Sequence, residues 1–268
     1  MTTAPPTEEL QQRLAFAAAN TMSCAKLALN WFGKDTFKPD HKSDGTPVTI
    51  ADQSIETELR NRIANVFPDD GILGEEFPDK DGNNSYQWVI DPIDGTISFV
   101  QGIPLFGTML ACLYNGVPVL GAIAMPCIDE IVYAANGLGC FHKVCEDDPK
   151  PARVSQVDQL DGALVNTTAL TYFDSPQLRD LYLKIDKAAK YTRGLPDCYG
   201  FVLLATGRVD AVIEPNVSLW DIASVPPIIH EAGGISTDLG GKDTVHTNSI
   251  IAATPGVHKA LLELTSKT

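Results

Sequence analysis

The sequence has no run of about 18 apolar residues, so nothing in it reads as a membrane span. Its most apolar stretch, 108–125, is broken by Asn115, Gly116 and Pro118. No C-x-x-C pair occurs either. Cys24, Cys112, Cys127, Cys140, Cys145 and Cys198 are scattered, mostly among apolar neighbours, where cysteine behaves as a small hydrophobe. Positive charge is scarce as well. Against 34 acidic residues stand 20 basic ones, a net charge of −14 with a pI near 4.6, which disfavours nucleic-acid backbones and anionic membranes as partners. The first ten residues hold neither a basic nor an apolar stretch, so no leader is read there and a reducing cytoplasm is the expected setting. An anionic ligand would have to draw its countercharge from beyond the side chains, and metal ions are the obvious source.

What is present suffices for a core: 268 residues, 44% apolar and 20% charged, with mean hydropathy −0.01. Leu10, Leu14, Ala17, Cys24, Ala28 and Trp31 approach helical spacing, as do Ile55, Leu59, Ile63 and Val66, which stop at Pro68-Asp69-Asp70-Gly71. Ile72-Leu73 and Trp88-Val89-Ile90 read as buried strands that run into acidic residues. Between Phe106 and Phe141, apolar runs punctuated by Asn115-Gly116 and Asn136-Gly137 predict an antiparallel meander. Beyond a polar stretch at 146–151 the pattern alternates: a strand at 163–165, helices near 177–189 and 199–205, and a strand at 211–213. A helix around 221–231, a strand at 250–253 and a closing helix complete it. This is α and β mixed in layers, with a division expected between residues 1–150 and 151–268.

The chemistry concentrates in Gly74-Glu75-Glu76 and in Trp88-Val89-Ile90-Asp91-Pro92-Ile93-Asp94-Gly95-Thr96. An apolar strand delivers Asp91, Pro92 turns the chain, and Asp94 follows three residues later. Two carboxylates on one turn suit a hard divalent cation, and a pair of such ions clamps both oxygens of a phosphoryl displacement. If Gly95 and Thr96 open a helix, their N–H groups would face an anion. Ordinary turn chemistry accounts for the same residues. The D-x-x-D spacing does disfavour one rival, a covalent aspartyl nucleophile, which needs D-x-D. Further on, Asp221 in Leu219-Trp220-Asp221-Ile222-Ala223 stands at a helix start, where a capping role competes with a functional one. Thr49 and Asp52 form either a capping box or a proton acceptor placed near the site. Spacing separates neither pair of readings.

Taken in order, Thr46-Pro47-Val48-Thr49, Gly74-Glu75-Glu76, W-V-I-D-P-I-D-G-T, W-D-I-A and Glu231-Ala232-Gly233-Gly234 resemble the signatures of the inositol monophosphatase family over most of the chain. These are Mg²⁺-dependent, lithium-sensitive phosphatases that share a fold with fructose-1,6-bisphosphatase. The resemblance implies an α+β fold, a layered α-β-α-β-α sandwich, commonly a homodimer. It implies that Glu75, Asp91 and the carbonyl of Ile93 ligate one Mg²⁺ and that Asp91, Asp94 and Asp221 ligate a second, Glu75 also touching a third, weaker ion. Asp52 and Thr96 would help activate the attacking water. Gly95 and Thr96 would donate backbone hydrogen bonds to phosphate, and Glu214 would contact the organic part of the substrate. The chain departs from the family in having Ile97-Ser98 where Thr-Asn is frequent, and Lys42 is the candidate for the lysine that often precedes Asp52.

Within the family, residues 94–108 and Asp197-Cys198-Tyr199, shortly after Arg193, are similar to the histidinol-phosphate phosphatases, although Pro196 stands where glycine is expected. An acidic rim of Glu214 and Asp197 suits a substrate with an ammonium and an imidazole beside its phosphate. Glu214 would equally accept inositol hydroxyls. Asp197 reads alternatively as a cap, and Arg193 as a surface charge or a substrate or subunit contact. The expected activity is Mg²⁺-dependent hydrolysis of the small phosphate ester histidinol phosphate, in histidine biosynthesis, by a metal-activated water and without a phosphoenzyme. The alternatives are inositol 1-phosphate or a broader set of sugar and nucleotide phosphates. A catalytically silent binding module is disfavoured, because none of Asp52, Glu75, Asp91, Asp94, Thr96 and Asp221 is missing.

Overall fold

The computed structural model describes residues 4–34, 40–41 and 47–266; Lys42 and Thr46 lie outside them. The chain begins with α1 (Thr7–Ala25), extended by a 3₁₀ segment, Lys26–Asn30. A two-stranded ribbon of β1 (Asp40–His41) and β2 (Pro47–Val48) precedes α2 (Ile50–Val66). Thr49 caps α2: its hydroxyl accepts the Ala51 N–H at 3.1 Å, while Asp52 Oδ2 accepts the Thr49 N–H at 2.8 Å. The spacing at Thr49-x-x-Asp52 therefore does form a capping box.

Seven strands follow: β3 (Gly71–Gly74), β4 (Tyr86–Asp94), β5 (Gly107–Tyr114), β6 (Val117–Met125), β7 (Glu130–Ala135), β8 (Gly139–Val144) and β9 (Lys150–Pro151). They form one sheet in chain order, parallel only between β3 and β4, with the short helix α3 (Thr96–Val100) after β4. The sheet thus continues through the polar stretch as far as Pro151. The second sheet is built from β10 (Leu164–Thr167), β11 (Tyr191–Gly194), β12 (Ala211–Glu214), β13 (Ile235–Thr237) and β14 (Ile250–Ala253), in the order β11-β10-β12-β14-β13. Helices α4 (Pro176–Ala188), α5 (Tyr199–Ala205), α6 (Leu219–Ile222), α7 (Val225–Glu231) and α8 (Pro255–Thr265) complete the chain.

Alternation along the strands sets the layers. Trp88, Ile90, Leu110, Cys112, Leu120 and Ala122 face α1 and α2, whereas Met109, Ile123 and Met125 face α5 and α7. On the second sheet, Val212, Ile250 and Ala252 meet α5 and α7, while Ala211, Ile213, Ile251 and Ala253 meet α4 and α8. The result is an α-β-α-β-α sandwich with α5 and α7 as its filling. The helix expected around 221–231 is two helices, α6 and α7. Pro226 and Pro227 occupy the first turn of α7, where a missing N–H costs nothing. Among the described residues no helix is long and apolar enough to cross a membrane.

Candidate active site

Strand β4 carries the first two acidic side chains, and an irregularity in its pairing aims both the same way. Asp91 pairs with Met109 and Asp94 with Gly107, so three steps on β4 match two on β5. Side chains three apart on a regular strand point to opposite faces; one extra residue in the bulge cancels that difference. Pro92 sits in the bulge, where its missing donor breaks no ladder. Asp91 and Asp94 therefore both face the middle layer, on the side of Met109.

Asp221 reaches them from α6. Gly121 on β6 makes the approach possible: a Cβ there would lie 2.0 Å from the Ser224 carbonyl oxygen, so the segment joining α6 to α7 rests directly on the sheet backbone. One carboxylate oxygen from each of Asp91, Asp94 and Asp221 falls within 4.8 Å of the others. Asp221 Oδ2 accepts the Ser218 N–H at 2.7 Å, and the Cys198 N–H donates to Asp94 Oδ2. Asp91 Oδ1 is buried and has no hydrogen-bond partner. Burial, then the charges of Glu75, Asp94, Asp221 and Asp52, hold the Asp91 carboxyl well above the usual carboxylate range. Burial and the Asp197 and Asp221 charges do the same to Asp94, and burial raises Asp221 to about 6. A buried acceptor without a donor, set among like charges, matches the oxygen-rich coordination of a hard divalent cation. The residues fit such an ion.

Glu75 and Ile93 line the same cavity; Glu75 lies beyond the tight trio, at the end of β3, yet its charge acts on both Asp91 and Asp221. Thr96 Oγ1 donates to the Ile93 carbonyl at 3.1 Å, and Gly95, at φ +88°, turns the chain into α3. Asp52 is buried and does not line the cavity; its Oδ2 is engaged by both donors of Thr49. Burial lifts its pKa to about 7 against those bonds.

The far wall comes from the second sheet and the loops at its strand ends. Glu214 closes β12, where Oε1 accepts the Thr168 N–H at 2.6 Å and burial raises its pKa to about 8. Asp197 holds a left-handed backbone, φ +52°, fixed by its own N–H on Thr168 Oγ1 at 2.9 Å. Its Oδ2 lies 2.8 Å from where a Cβ on Gly95 would stand, so a glycine there leaves room for this carboxylate. Arg193 is not at this wall. It sits exposed on the edge strand β11, with Nη1 on the Thr192 carbonyl at 2.8 Å and its guanidinium 5.8 Å from the Tyr191 ring centre.

The cavity measures about 620 Å³ and exposes six carboxylates, from Glu75, Asp91, Asp94, Asp197, Glu214 and Asp221. Among the described residues no Lys, Arg or His lines it. Two aromatic walls, Tyr172 and Trp220, were given no role by sequence reasoning. Burial, then the charges of Asp197, Glu214, Asp94 and Asp221, push the Tyr172 phenol up to about 12, so it faces the acidic cluster as a neutral donor. Nothing in the spacing around Tyr172 signals this, since a one-turn 3₁₀ segment, Leu170–Tyr172, brings it in.

Known proteins share this architecture. A histidinol-phosphatase of Chlorobaculum parvum is 38% identical over 241 residues, 89% of each chain, and one of Mycobacterium tuberculosis is 36% identical over 231 residues, 86% of this chain and 89% of its own. The solved structure of the extragenic suppressor protein suhB of Bartonella henselae superposes with a TM-score of 0.88 at 25% identity, covering 96% of this chain and 99% of that one. The model of the inositol monophosphatase family matches residues 9–268. With its sandwich and its acidic cavity, the chain belongs to the inositol monophosphatase family.

Proposed function

We propose that this phosphoric monoester hydrolase acts on histidinol phosphate, releasing histidinol and inorganic phosphate with Mg²⁺, as a step of histidine biosynthesis. One observation carries the reading: six carboxylates and, among the described residues, no basic side chain line the cavity of a phosphatase. A phosphate dianion enters such a cavity only with cations, and an amine-bearing substrate suits the carboxylates left over. The two histidinol-phosphatase relatives support the same substrate.

In this reading Glu75, Asp91 and the Ile93 carbonyl hold one Mg²⁺ and Asp91, Asp94 and Asp221 a second, with Glu75 also reaching a third, weaker ion. Bound there, the ions neutralise the phosphoryl oxygens and make water acidic enough to attack at neutral pH. The Gly95 and Thr96 N–H groups orient the phosphate. Thr96, its hydroxyl on the Ile93 carbonyl, lines the cavity beside the phosphate, and Asp52, buried behind that lining with a pKa of about 7, takes up through Thr96 or a bridging water the proton that the attacking water releases. The oxygen of water joins phosphorus, the P–O ester bond breaks, and the leaving alkoxide takes a proton from solvent while Asp52 gives its own back to solvent. Glu214 and Asp197 receive the ammonium and imidazole, and the faces of Tyr172 and Trp220 flank them. Arg193, exposed on β11, would contact the substrate outside the cavity or a partner subunit. Residues 1–150 then supply most metal ligands and residues 151–268 supply Asp221 and the substrate contacts, in a cytoplasmic homodimer.

Phosphate release with Mg²⁺ on histidinol phosphate, inositol 1-phosphate, fructose 1,6-bisphosphate and phosphoadenosine phosphate tests the reading. A kcat/KM for histidinol phosphate at least about tenfold above the others is expected, the worth of one charge-assisted hydrogen bond. Equal rates would remove the substrate assignment and leave the reaction class.

A further inference from the structure

Helix α2 carries three ionisable side chains on one stripe, Asp52, Glu56 and Arg60, each four residues after the last. The reading above uses only Asp52. Glu56 is fully buried, and a lone buried carboxylate is costly. Among the described residues, the contacts that offset the cost lead to the segment carrying Glu75. Glu56 Oε2 accepts the Glu76 N–H at 2.8 Å. Oε1 accepts Arg60 Nε at 2.7 Å, and Arg60 Nη2 donates to the Phe77 carbonyl at 3.1 Å. One ion pair thus grips the backbone just after Glu75 at two points. Strand β3 ends at Gly74, one residue before Glu75. Gly74 completes the arrangement: a Cβ on it would lie 2.0 Å from Glu56 Oε1, so any side chain would displace the carboxylate.

We infer that Glu56 and Arg60 are positioning residues that set the Glu75 carboxylate for cation binding. The proposal rests on Glu75 being a metal ligand, and the test separates the two claims. The probe is Mg²⁺ alone, titrated calorimetrically into the purified full chain, alongside the Mg²⁺ concentration giving half-maximal phosphate release. Glu75→Gln is the reference and is expected to weaken Mg²⁺ binding. Glu56→Ala is expected to weaken it about tenfold, the lower end of what outer partners of metal ligands contribute. At saturating Mg²⁺ its kcat falls less, and Glu56→Gln, whose amide oxygen still accepts the Glu76 N–H, recovers part of the loss. Combined with Glu75→Gln, Glu56→Ala adds nothing further, because both act on one ligand.

Wild-type Mg²⁺ binding by a folded Glu56→Ala, or losses that multiply in the double variant, overturns the proposal while leaving Glu75 a ligand. If Glu56→Ala does not fold, Glu56→Gln and Arg60→Gln decide: wild-type binding by both overturns it, and weakened binding by Arg60→Gln upholds it. Unchanged binding by Glu75→Gln removes the ligand assignment and the proposal with it.

Discussion

The backbone N–H of Cys198 donates to the Oδ2 of Asp94, 104 residues earlier in the chain. The bond ties the bulged end of the first sheet to the loop that carries Asp197. A carboxylate proposed for a metal and one proposed for substrate are thereby fixed relative to each other by one peptide group.

Replacing Asp91 by Asn is expected to reduce turnover by more than about 100-fold, since even outer partners of metal ligands are worth 10–100-fold. The fold should persist, because the substitution removes a buried charge crowded by Glu75, Asp94 and Asp221. Initial rates together with a melting curve in chelator check both halves. A melting temperature below wild type, or activity within about threefold of it, would contradict the assignment.

Chelation should make stability strongly pH-dependent. Asp197 and Asp221 at about 6, Asp52 at about 7 and Glu214 at about 8 all lie above their unfolded values, so the native chain binds more protons in between. Their contribution is fully present below about pH 4 and is lost as pH rises toward 8. Burial of His258 acts oppositely, lowering its pKa and costing stability toward acid. Melting temperature in EDTA should therefore fall between pH 6 and 8, by about 2–4 °C per kcal/mol lost, and saturating Mg²⁺ should flatten the decline. Parallel profiles with and without Mg²⁺ would exclude Asp221, with its neighbours Asp91 and Asp94, as the Mg²⁺ site.

Asp52→Asn separates capping from proton transfer. The amide oxygen still accepts the Thr49 N–H, so α2 keeps its cap and the melting temperature should move by no more than a few degrees. As a proton acceptor Asn is useless, and kcat should drop by at least about 100-fold, the usual worth of a general base. An unaltered kcat would leave Asp52 a helix cap and nothing more.

Glu214→Gln keeps an acceptor for the Thr168 N–H and removes the carboxyl that would ionise beside a bound ammonium. For histidinol phosphate, KM should rise about tenfold or more, one charge-assisted hydrogen bond, with a smaller change in kcat. For inositol 1-phosphate, which has no ammonium, the rise should be slight. Equal increases for both substrates would show that Glu214 serves the cavity wall and not the cationic group.

Much of this was readable in the sequence, and unevenly so. The meander from β5 to β8 followed from its apolar runs and Asn-Gly turns, and α5 falls where 199–205 placed it. The short strands β9, β11 and β13 were not foreseen, because their two to four residues are largely polar or exposed, carry no apolar run and pair only at the edges of their sheets. The Thr49–Asp52 box and the Asp221 bond to Ser218 are both present, so the capping readings hold, and the roles proposed for Asp52 and Asp221 fall on side chains that also cap helices.

By itself the sequence determined which acidic residues are available, at the ends of which elements, and in what family pattern, because strand ends, caps and turns are local consequences of residue type. Only the tertiary structure decided that Asp91 and Asp94 share a face, that Gly121 lets Asp221 come down to meet them, and that Glu56 and Arg60 grip the chain beside Glu75. Those outcomes depend on a pairing register and on backbone approaches between distant segments, and no spacing along the chain encodes such distances.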